Sequence, residues 1–388
     1  MSNLDHFFAP CPRGLAGMLA AEITKLGGQY ISETDAGVGF SATMPVAYAV
    51  NLHSRIASRV LWQRIRFSYR KEDDIYQAVL AHNWPEEFHI SCTIKVEINA
   101  TKCPLKSLDF ITLRVKDAVC DRFRQINDER PSVDARKPDV RVHTFLDATT
   151  ATIYLDLSGE PLFKRGSREH TGEAPLKKNL AAGILMLSGW QPGTALLDPM
   201  CGSGTFLVEA AQMSLNMAPG LDRPFAFEKL HSYDNKAWQT CWEAAKNKVL
   251  APEPLPLFGS DLYGYALADA ERNLAENGLE ECVALKQANV LEVSAPADEG
   301  VLITNPPYGI RIGDSSDLNE LYPKLGDVLK QKFSGWNAYI FTADAMLPKL
   351  MRLSVGRKTP LFNGKLECRL YEYKLIAGSN RKAENAPI

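Results

Sequence analysis

Four consecutive residues, Asn305-Pro306-Pro307-Tyr308, follow the apolar run at 301–304 and carry the most specific chemistry in the chain. The two prolines favour an extended turn and keep Asn305 out of a helix. The side-chain oxygen of Asn305 and the carbonyl oxygen of Pro306 can then accept both hydrogens of a planar amine, while Tyr308 offers a face for stacking. A simple proline turn is the structural alternative, but it leaves the combination of residue types unexplained. The motif predicts chemistry at an exocyclic aromatic amine.

A loop containing two glycines, Asp198-Pro199-Met200-Cys201-Gly202-Ser203-Gly204-Thr205, joins a predicted strand to a predicted helix. Ligands bind outside the carboxyl ends of strands in open α/β sheets, and glycine lets the backbone approach a ligand closely. Leu207 breaks a dinucleotide fingerprint, and the loop has no G-K-[ST] sequence. Either this is an ordinary turn or it holds a ligand without phosphates, with Asp198 facing a positive group such as the α-ammonium of S-adenosylmethionine.

Two more polar residues follow predicted strands. Asp261 could accept both ribose hydroxyls of an adenosine, although a helix N-cap is the common role of such a residue. Asn289 could contact the adenine amine through its amide oxygen. With a sulfonium methyl group placed in line, the amine held by Asn305 and Pro306 can attack without a strong base, because its proton can leave afterwards. These residues predict S-adenosylmethionine as the cofactor.

The composition fits a chain of two or three domains. It has 388 residues, 45% of them hydrophobic, and a formal net charge of -2, which decides neither for nor against nucleic acid. The 8 cysteines form no C-x-x-C pair, so reduced thiols are expected rather than a metal site or a disulfide framework. The N-terminus lacks a signal-peptide pattern and no apolar run is long enough for a membrane span. We expect a cytoplasmic protein, without metal or membrane partner, and a monomer.

Hydrophobic periodicity predicts the elements that position these motifs. In the N-terminal part it indicates helices at 12–26, 44–52, 74–81 and 107–127 and strands at 31–33, 37–40, 93–98, 140–146 and 151–156. After a polar linker at 162–174, helices are expected at 176–188, 205–216, 263–277 and 318–333 and strands at 195–197, 257–260, 282–287, 301–304 and 338–341. A hairpin is predicted at Asn363-Gly364, between 359–362 and 365–375. The fold class is therefore α/β, a doubly wound, Rossmann-like sheet ending in a β-hairpin, after a smaller α+β module.

With these motifs, the chain resembles the bacterial THUMP-containing RNA guanine-N2 methyltransferases, above all the N-terminal methyltransferase part of members that act on large-subunit ribosomal RNA. The likeness also covers the segments 13–15 (RGL), 51–59 (NLHSRIASR), 155–159 (LDLSG) and 189–193 (GWQPG). It implies a ferredoxin-like part (1–57), a THUMP RNA-binding domain (58–160) and a class I methyltransferase domain (161–388). Some members continue into a second methyltransferase domain; here the chain stops at Ile388, and one methylation is expected.

The resemblance also implies residue roles. The segment Pro175-Leu176-Lys177 would lie beside the cofactor, and Asn305 to Tyr308 would hold the target guanine. The family usually has an acidic residue where Asn289 stands. The expected cofactor-binding set is Pro175, Lys177, Asp198, Pro199, Met200, Cys201, Gly202, Gly204, Thr205, Asp261, Asn289 and Asn305, and the expected catalytic set is Asn305, Pro306, Pro307 and Tyr308.

The implied reaction is methylation of a guanine N2 amine in 23S ribosomal RNA or its precursor. Lys164, Arg165 and Arg168 of the linker are the candidate RNA contacts, because they adjoin the catalytic domain. The alternatives are a guanine-N2 methyltransferase of transfer RNA and an N6-adenine methyltransferase of DNA or RNA, since the motif serves both amines. No DNA-reading module is visible. A non-catalytic RNA-binding factor is disfavoured by the intact Asp198 and Asn305.

Overall fold

The computed structural model describes residues 4–165, 176–306 and 315–376, with residues 315–319 described in their backbone only. The chain divides into two compact units. The first comprises Met1–Arg165 together with Ala218–Val249, and the second comprises Gly166–Met217 together with Leu250–Ile388. The chain thus leaves the second unit once and returns to it. Within the described residues, no helix has the length and apolar character needed to cross a membrane.

The first unit contains one seven-stranded sheet in the order β2-β3-β1-β4-β7-β6-β5. Its strands are β1 (Asp5–Pro10), β2 (Gln29–Thr34), β3 (Gly37–Ala42), β4 (Leu61–Ser68), β5 (Ile94–Ala100), β6 (Val140–Leu146) and β7 (Thr150–Asp156). Its helices before the linker are α1 (Ala16–Lys25), α2 (Met44–His53), α3 (Glu72–Ala81) and α4 (Leu108–Asn127). Because β1 pairs with β4, with Phe7 opposite Trp62, the sheet continues across the predicted boundary at residue 57. The predicted domain boundaries stay a prediction.

The rest of the chain supplies a second seven-stranded sheet in the order β10-β9-β8-β11-β12-β14-β13. Its strands are β8 (Leu196–Asp198), β9 (Leu257–Asp261), β10 (Ala284–Gln287), β11 (Gly300–Thr304), β12 (Trp336–Thr342), β13 (Arg357–Asn363) and β14 (Leu366–Lys374). The helices after the linker are α5 (Lys178–Leu187), α6 (Thr205–Ser214), α7 (Asn235–Lys246), α8 (Gly264–Ala275), α9 (Ser315–Lys332) and α10 (Leu347–Met351), and of these α7 belongs to the first unit.

This second sheet confirms the predicted α/β class. Strands β8 to β12 run parallel, and β14 joins β12 antiparallel as part of the terminal hairpin. Every residue of β11 is buried, as expected for a central parallel strand. The connection order reverses between β8 and β11, where a doubly wound sheet opens a crevice for ligands.

The segment 218–249 follows α6 in sequence but packs in the first unit. Its Phe227 ring lies 4.4 Å from the ring of Tyr48 on α2, and its Trp238 ring lies 5.1 Å from Phe227. The backbone N–H of Asp234 donates to the Tyr48 hydroxyl over 3.0 Å. The segment therefore has its own aromatic core with α2, although the sequence interpretation placed it in the methyltransferase domain.

Most predicted elements are present within a few residues of their expected bounds. Strands β1 and β4 and helices α7 and α10 were not predicted. The hairpin turn is also displaced by one residue, because Asn363 pairs with Leu366 and leaves Gly364 and Lys365 as the loop. Gly364, at φ 66°, takes the first loop position, where a type II′ turn favours glycine.

Candidate active site

Three adjacent parallel strands end at the same edge of the second sheet, and each ends next to a predicted site residue. Asp198 is the last residue of β8, Asp261 is the last residue of β9, and Asn305 follows β11 directly. The carboxyl ends of β8 and β11 flank the point where the strand order reverses. The sequence motifs thus meet at the one edge where such a sheet binds ligands.

The loop from β8 to α6 is held in a specific conformation by its glycines. Gly202 has φ 53° and Gly204 has φ 76°, a left-handed region that other residues rarely adopt. A Cβ atom on Gly204 would lie 3.2 Å from the Cβ of Ala270 on α8, so glycine also allows close packing of two helices. The N–H of Cys201 donates to the carbonyl of Ser260 over 2.9 Å and ties the loop to β9.

Asp261 organises the same loop through its carboxylate. One oxygen accepts the Gly202 N–H over 2.9 Å, and the other accepts the Tyr263 N–H over 3.0 Å. Each carboxylate oxygen has a second lone pair, so the side chain can still accept two hydroxyl groups. Asp261 therefore stabilises the turn before α8, although the N-cap of that helix is Tyr263 and not Asp261, and it keeps the acceptor capacity that ribose recognition requires.

Asp198 lies deeper than Asp261. The residue is 2% exposed, and its Oδ1 accepts the Met200 N–H over 3.3 Å. Burial raises the pKa of Asp198 to about 7, although the nearby Thr304 hydroxyl and the Met200 N–H lower it in part. The Thr304 oxygen makes no hydrogen bond of ordinary geometry with a described residue. A buried carboxyl group with so few donors is suited to receive a cation.

A cavity of about 330 Å³ opens beside these strand ends. Of the predicted residues, it is lined by Pro199, Met200, Gly202, Asp261, Asn289 and Asn305. Its remaining walls were missed by sequence reasoning: Leu262, Tyr263, Tyr265, Ala266, Val290, Leu291 and Leu321. Most of these are apolar or aromatic, as expected for a pocket that holds a flat ring. A sequence signal could have found three of them, Leu262, Tyr263 and Tyr265, because they form a run of bulky residues directly after Asp261.

Other predicted residues support the loop without lining this cavity. Cys201 is 7% exposed, and burial raises its thiol pKa, helped by the negative charges of Asp198 and Asp261. A thiol in that environment is a poor nucleophile. Thr205 begins α6 and is buried. Asn289 does line the cavity, but its Oδ1 already accepts the Leu291 N–H over 3.0 Å.

The linker predictions separate into different environments. Lys177 is exposed and immediately precedes α5. Lys164 has a side chain that is 61% exposed and pairs with Glu160 over 3.3 Å. Arg165 is 3% exposed and donates to the Arg55 carbonyl, so it is built into the fold of the first unit. Pro306 is buried next to Asn305. Four predicted residues lie outside the described residues: Arg168, Pro175, Pro307 and Tyr308.

Comparisons with known proteins give the family. A model of the RMKL-like methyltransferase domain matches residues 165–372, a THUMP domain model matches 69–156, and a model of the RlmL ferredoxin-like domain matches 6–61. A relative from Shewanella sp. (strain W3-18-1), ribosomal RNA large subunit methyltransferase K/L, is 40% identical over 97% of this chain and 54% of its own length. The chain thus spans about half the length of the curated relatives it matches.

Solved structures with the same fold cover nearly the whole chain. SMU.472 in complex with SAH superposes with a TM-score of 0.86 at 29% identity, covering 98% of this chain and 100% of that one. A protein from Listeria monocytogenes described as a predicted N6-adenine-specific DNA methylase gives a TM-score of 0.85 at 26% identity, covering 96% of each chain. The chain therefore belongs to the RMKL-like methyltransferase family, with THUMP and RlmL ferredoxin-like domains in its N-terminal part.

Proposed function

We propose that this chain transfers the methyl group of S-adenosylmethionine to the exocyclic N2 amine of a guanine in 23S ribosomal RNA. The observation that carries the proposal is that Gly202, Asp261 and Asn305, the residues proposed to contact the cofactor and the amine, line the same cavity. The ribosomal RNA substrate is supported by the name of the relative at 40% identity and by the THUMP match.

The residues at the cavity fit an adenosine with a charged amino-acid tail. The carboxylate of Asp261 would accept the ribose hydroxyls, and Leu262 and Leu291 would contact the faces of the adenine. Asp198 directly precedes the cavity-lining Pro199 and would accept the α-ammonium group, because its carboxyl is buried and forms no ion pair within the described residues. The bound cofactor supplies an electrophilic methyl group on a sulfonium.

Asn305 and Pro306 would hold the acceptor base. The Asn305 side-chain oxygen and the Pro306 carbonyl are both hydrogen-bond acceptors, so together they would bind the two hydrogens of an amine. These contacts strengthen as the nitrogen gains positive charge, and they therefore stabilise the transition state more than the bound substrate. The proton leaves only after the nitrogen has formed its new bond, and no side chain with a raised basicity is required.

The proposed function is tested by incubating the protein with S-adenosylmethionine and, separately, unmodified ribosomal RNA, transfer RNA and DNA, followed by mass spectrometry of the nucleosides. N2-methylguanosine in ribosomal RNA is the expected product. Asn305→Ala should remove turnover but leave RNA binding near normal, while Asn247→Ala, at an exposed position in the first unit, should change neither. Equal loss of turnover and RNA binding in Asn305→Ala would contradict the assigned role.

Adenine N6 is the second candidate, because that amine presents the same two hydrogens to Asn305 and Pro306. The Listeria monocytogenes protein described as an N6-adenine-specific DNA methylase shares the fold at 26% identity. N6-methyladenosine in the assay would keep the cofactor and amine assignments and overturn the guanine and ribosomal RNA assignments. N2-methylguanosine found only in transfer RNA would overturn the choice of RNA.

A further inference from the structure

A second cavity, of about 410 Å³, lies in the first unit and shares no lining residue with the cavity of the candidate active site. Three separate stretches of chain surround it: residues 137–141 at the start of β6, residues 159–164 after β7, and residues 223–226 with 229 from the segment 218–249. Its size falls within the range of ligand pockets. The THUMP match ends at residue 156, so the matched segment supplies only the lining residues 137–141 and does not form the cavity alone.

The cavity is strongly basic although the chain is slightly acidic. Five cationic side chains line it: Lys137, Arg141, Lys164, Arg223 and Lys229. The lining has two carboxylates, Asp139 and Glu160, so its formal charge is about +3 against -2 for the whole chain. Such a concentration of one sign in a concave site focuses the potential and attracts anions.

The carboxylates neutralise only part of this charge. Glu160 is shared by two cations, with one oxygen 2.6 Å from Arg141 and the other 3.3 Å from Lys164. Asp139 lies 4.0 Å from Lys229, at the limit of an ion pair. Lys137 is exposed and makes no ion pair with any residue that the structure describes. Lys137 and Lys229 can thus turn toward an incoming anion without breaking a close ion pair.

Arg223 is a fixed charge at the base of this arrangement. Its guanidinium donates to the carbonyl oxygens of Pro161, at 2.9 Å, Ser158, at 3.3 Å, and Glu160. Burial lowers the pKa of Arg223 to about 10, so the group stays charged at neutral pH. Because carbonyl oxygens orient this charge without carrying a full negative charge, the positive potential remains in the cavity.

We propose that this cavity binds a backbone phosphate of RNA, and that residues 223–229 complete a docking site which the THUMP segment begins. The inference rests on the proposed action on RNA and names where the strand is gripped. Lys137 and Lys229 bind the phosphate directly, and Lys164 turns from Glu160 toward it. Arg141 and Arg223 supply the positive background that favours the anion. Phosphate contacts position the strand and do not read its sequence.

The test measures binding of a fluorescein-labelled single-stranded oligoribonucleotide to the full chain, without S-adenosylmethionine, by anisotropy at 50 and 200 mM KCl. The variant is Lys137→Ala/Lys229→Ala, and Lys25→Ala/Lys349→Ala removes the same charge at exposed positions outside the cavity. Each lost phosphate contact on a single strand lowers the salt slope by about 0.7. Because the variant releases one phosphate, it should lose about threefold more affinity at 50 mM than at 200 mM KCl.

A gain-of-function variant provides a second arm. Glu160→Gln keeps an oxygen for Arg141 but removes a negative charge, so RNA should bind more tightly and with a steeper salt slope. Unchanged slopes in both variants, or equal effects in the control pair, would overturn the proposal.

Inorganic phosphate at constant ionic strength separates the two sources of the anion. Broadening of its ³¹P signal by the wild-type chain but not by the double variant, with unchanged RNA binding, would assign the cavity to free phosphate and overturn the RNA assignment. If the protein methylated none of the RNAs, the proposed function would be refuted, but the result of this binding test would still stand.

Discussion

Replacing Asp198 by asparagine should stabilise the free protein and weaken cofactor binding at the same time. Burial raises the pKa of Asp198 from 3.8 to about 7. At 1.36 kcal/mol per unit, keeping this carboxylate ionised in the folded protein costs about 4 kcal/mol above pH 7. Asparagine has nearly the same shape and still accepts the Met200 N–H, but it carries no charge to bury.

The pH dependence gives the sign of the effect. Because the folded-state pKa is raised, the stabilising effect of the protonated group is complete below pH 4 and is lost as the pH rises to about 7. Asp198→Asn should therefore raise the free energy of unfolding relative to the wild type, and this increase should be about 3 kcal/mol larger at pH 8 than at pH 5. Urea unfolding of the free protein measures it. Asp298→Asn, at an exposed position, should show no such difference.

Calorimetric titration with S-adenosylmethionine completes the experiment. In the wild type, the affinity should fall as the pH drops below about 7, because the proton on Asp198 must leave before the carboxylate can pair with the α-ammonium. Asp198→Asn should bind weakly at every pH, since removing one partner of a buried charged contact costs about 2–5 kcal/mol. If the variant binds the cofactor as the wild type does, Asp198 serves only as an acceptor for the loop and the reasoning is refuted.

Two other substitutions test what stabilises the loop from β8 to α6 and what holds the segment 218–249 in the first unit. Gly204→Ala should lower the free energy of unfolding by about 1–2 kcal/mol because its backbone is left-handed, and further because the new Cβ would crowd Ala270. Gly189→Ala is the control for the backbone effect alone, since Gly189 has φ 74° and a Cβ there would have no neighbour within 4 Å. Equal losses in urea unfolding would show that the contact with Ala270 is unimportant. Tyr48→Ala should cost about 3–5 kcal/mol and expose the segment 218–249 to limited proteolysis, while Tyr48→Phe should cost about 1 kcal/mol, the value of the hydrogen bond from Asp234. An unchanged cleavage pattern in Tyr48→Ala would show that the aromatic contacts do not hold the segment.

The sheet of the second unit was predictable because its signals are local. Buried parallel strands are short apolar runs separated by amphipathic helices, and the predicted strand at 301–304 lies within β11. The site followed from the same pattern. Once the strands are parallel and adjacent, their carboxyl ends meet, and Asp198, Asp261 and Asn305 come together whatever their separation in sequence.

Other elements depend on contacts that sequence patterns do not contain. The register of β4 against β7 shifts between Gln63 and Ile65, which breaks the period-two alternation that identifies a strand. Helix α7 had a local start signal, since Asp234 caps it by accepting the Ala237 N–H over 3.0 Å. No local signal indicated where α7 packs, because its N-cap Asp234 contacts Tyr48, which lies 186 residues away in the sequence.

The linker shows most clearly why binding surfaces are harder to predict than strand-end sites. Lys164 and Arg165 are consecutive cations, and sequence reasoning treated them alike. Neighbouring side chains on an irregular chain point in different directions, and here Lys164 lines the basic cavity while Arg165 is buried against the Arg55 carbonyl. A backbone position fixes what a glycine or a strand-end carboxylate can do, but the role of a cation depends on where its side chain is directed. The basic cavity accordingly draws its charges from stretches of sequence as distant as Lys137 and Lys229, which only the folded chain brings together.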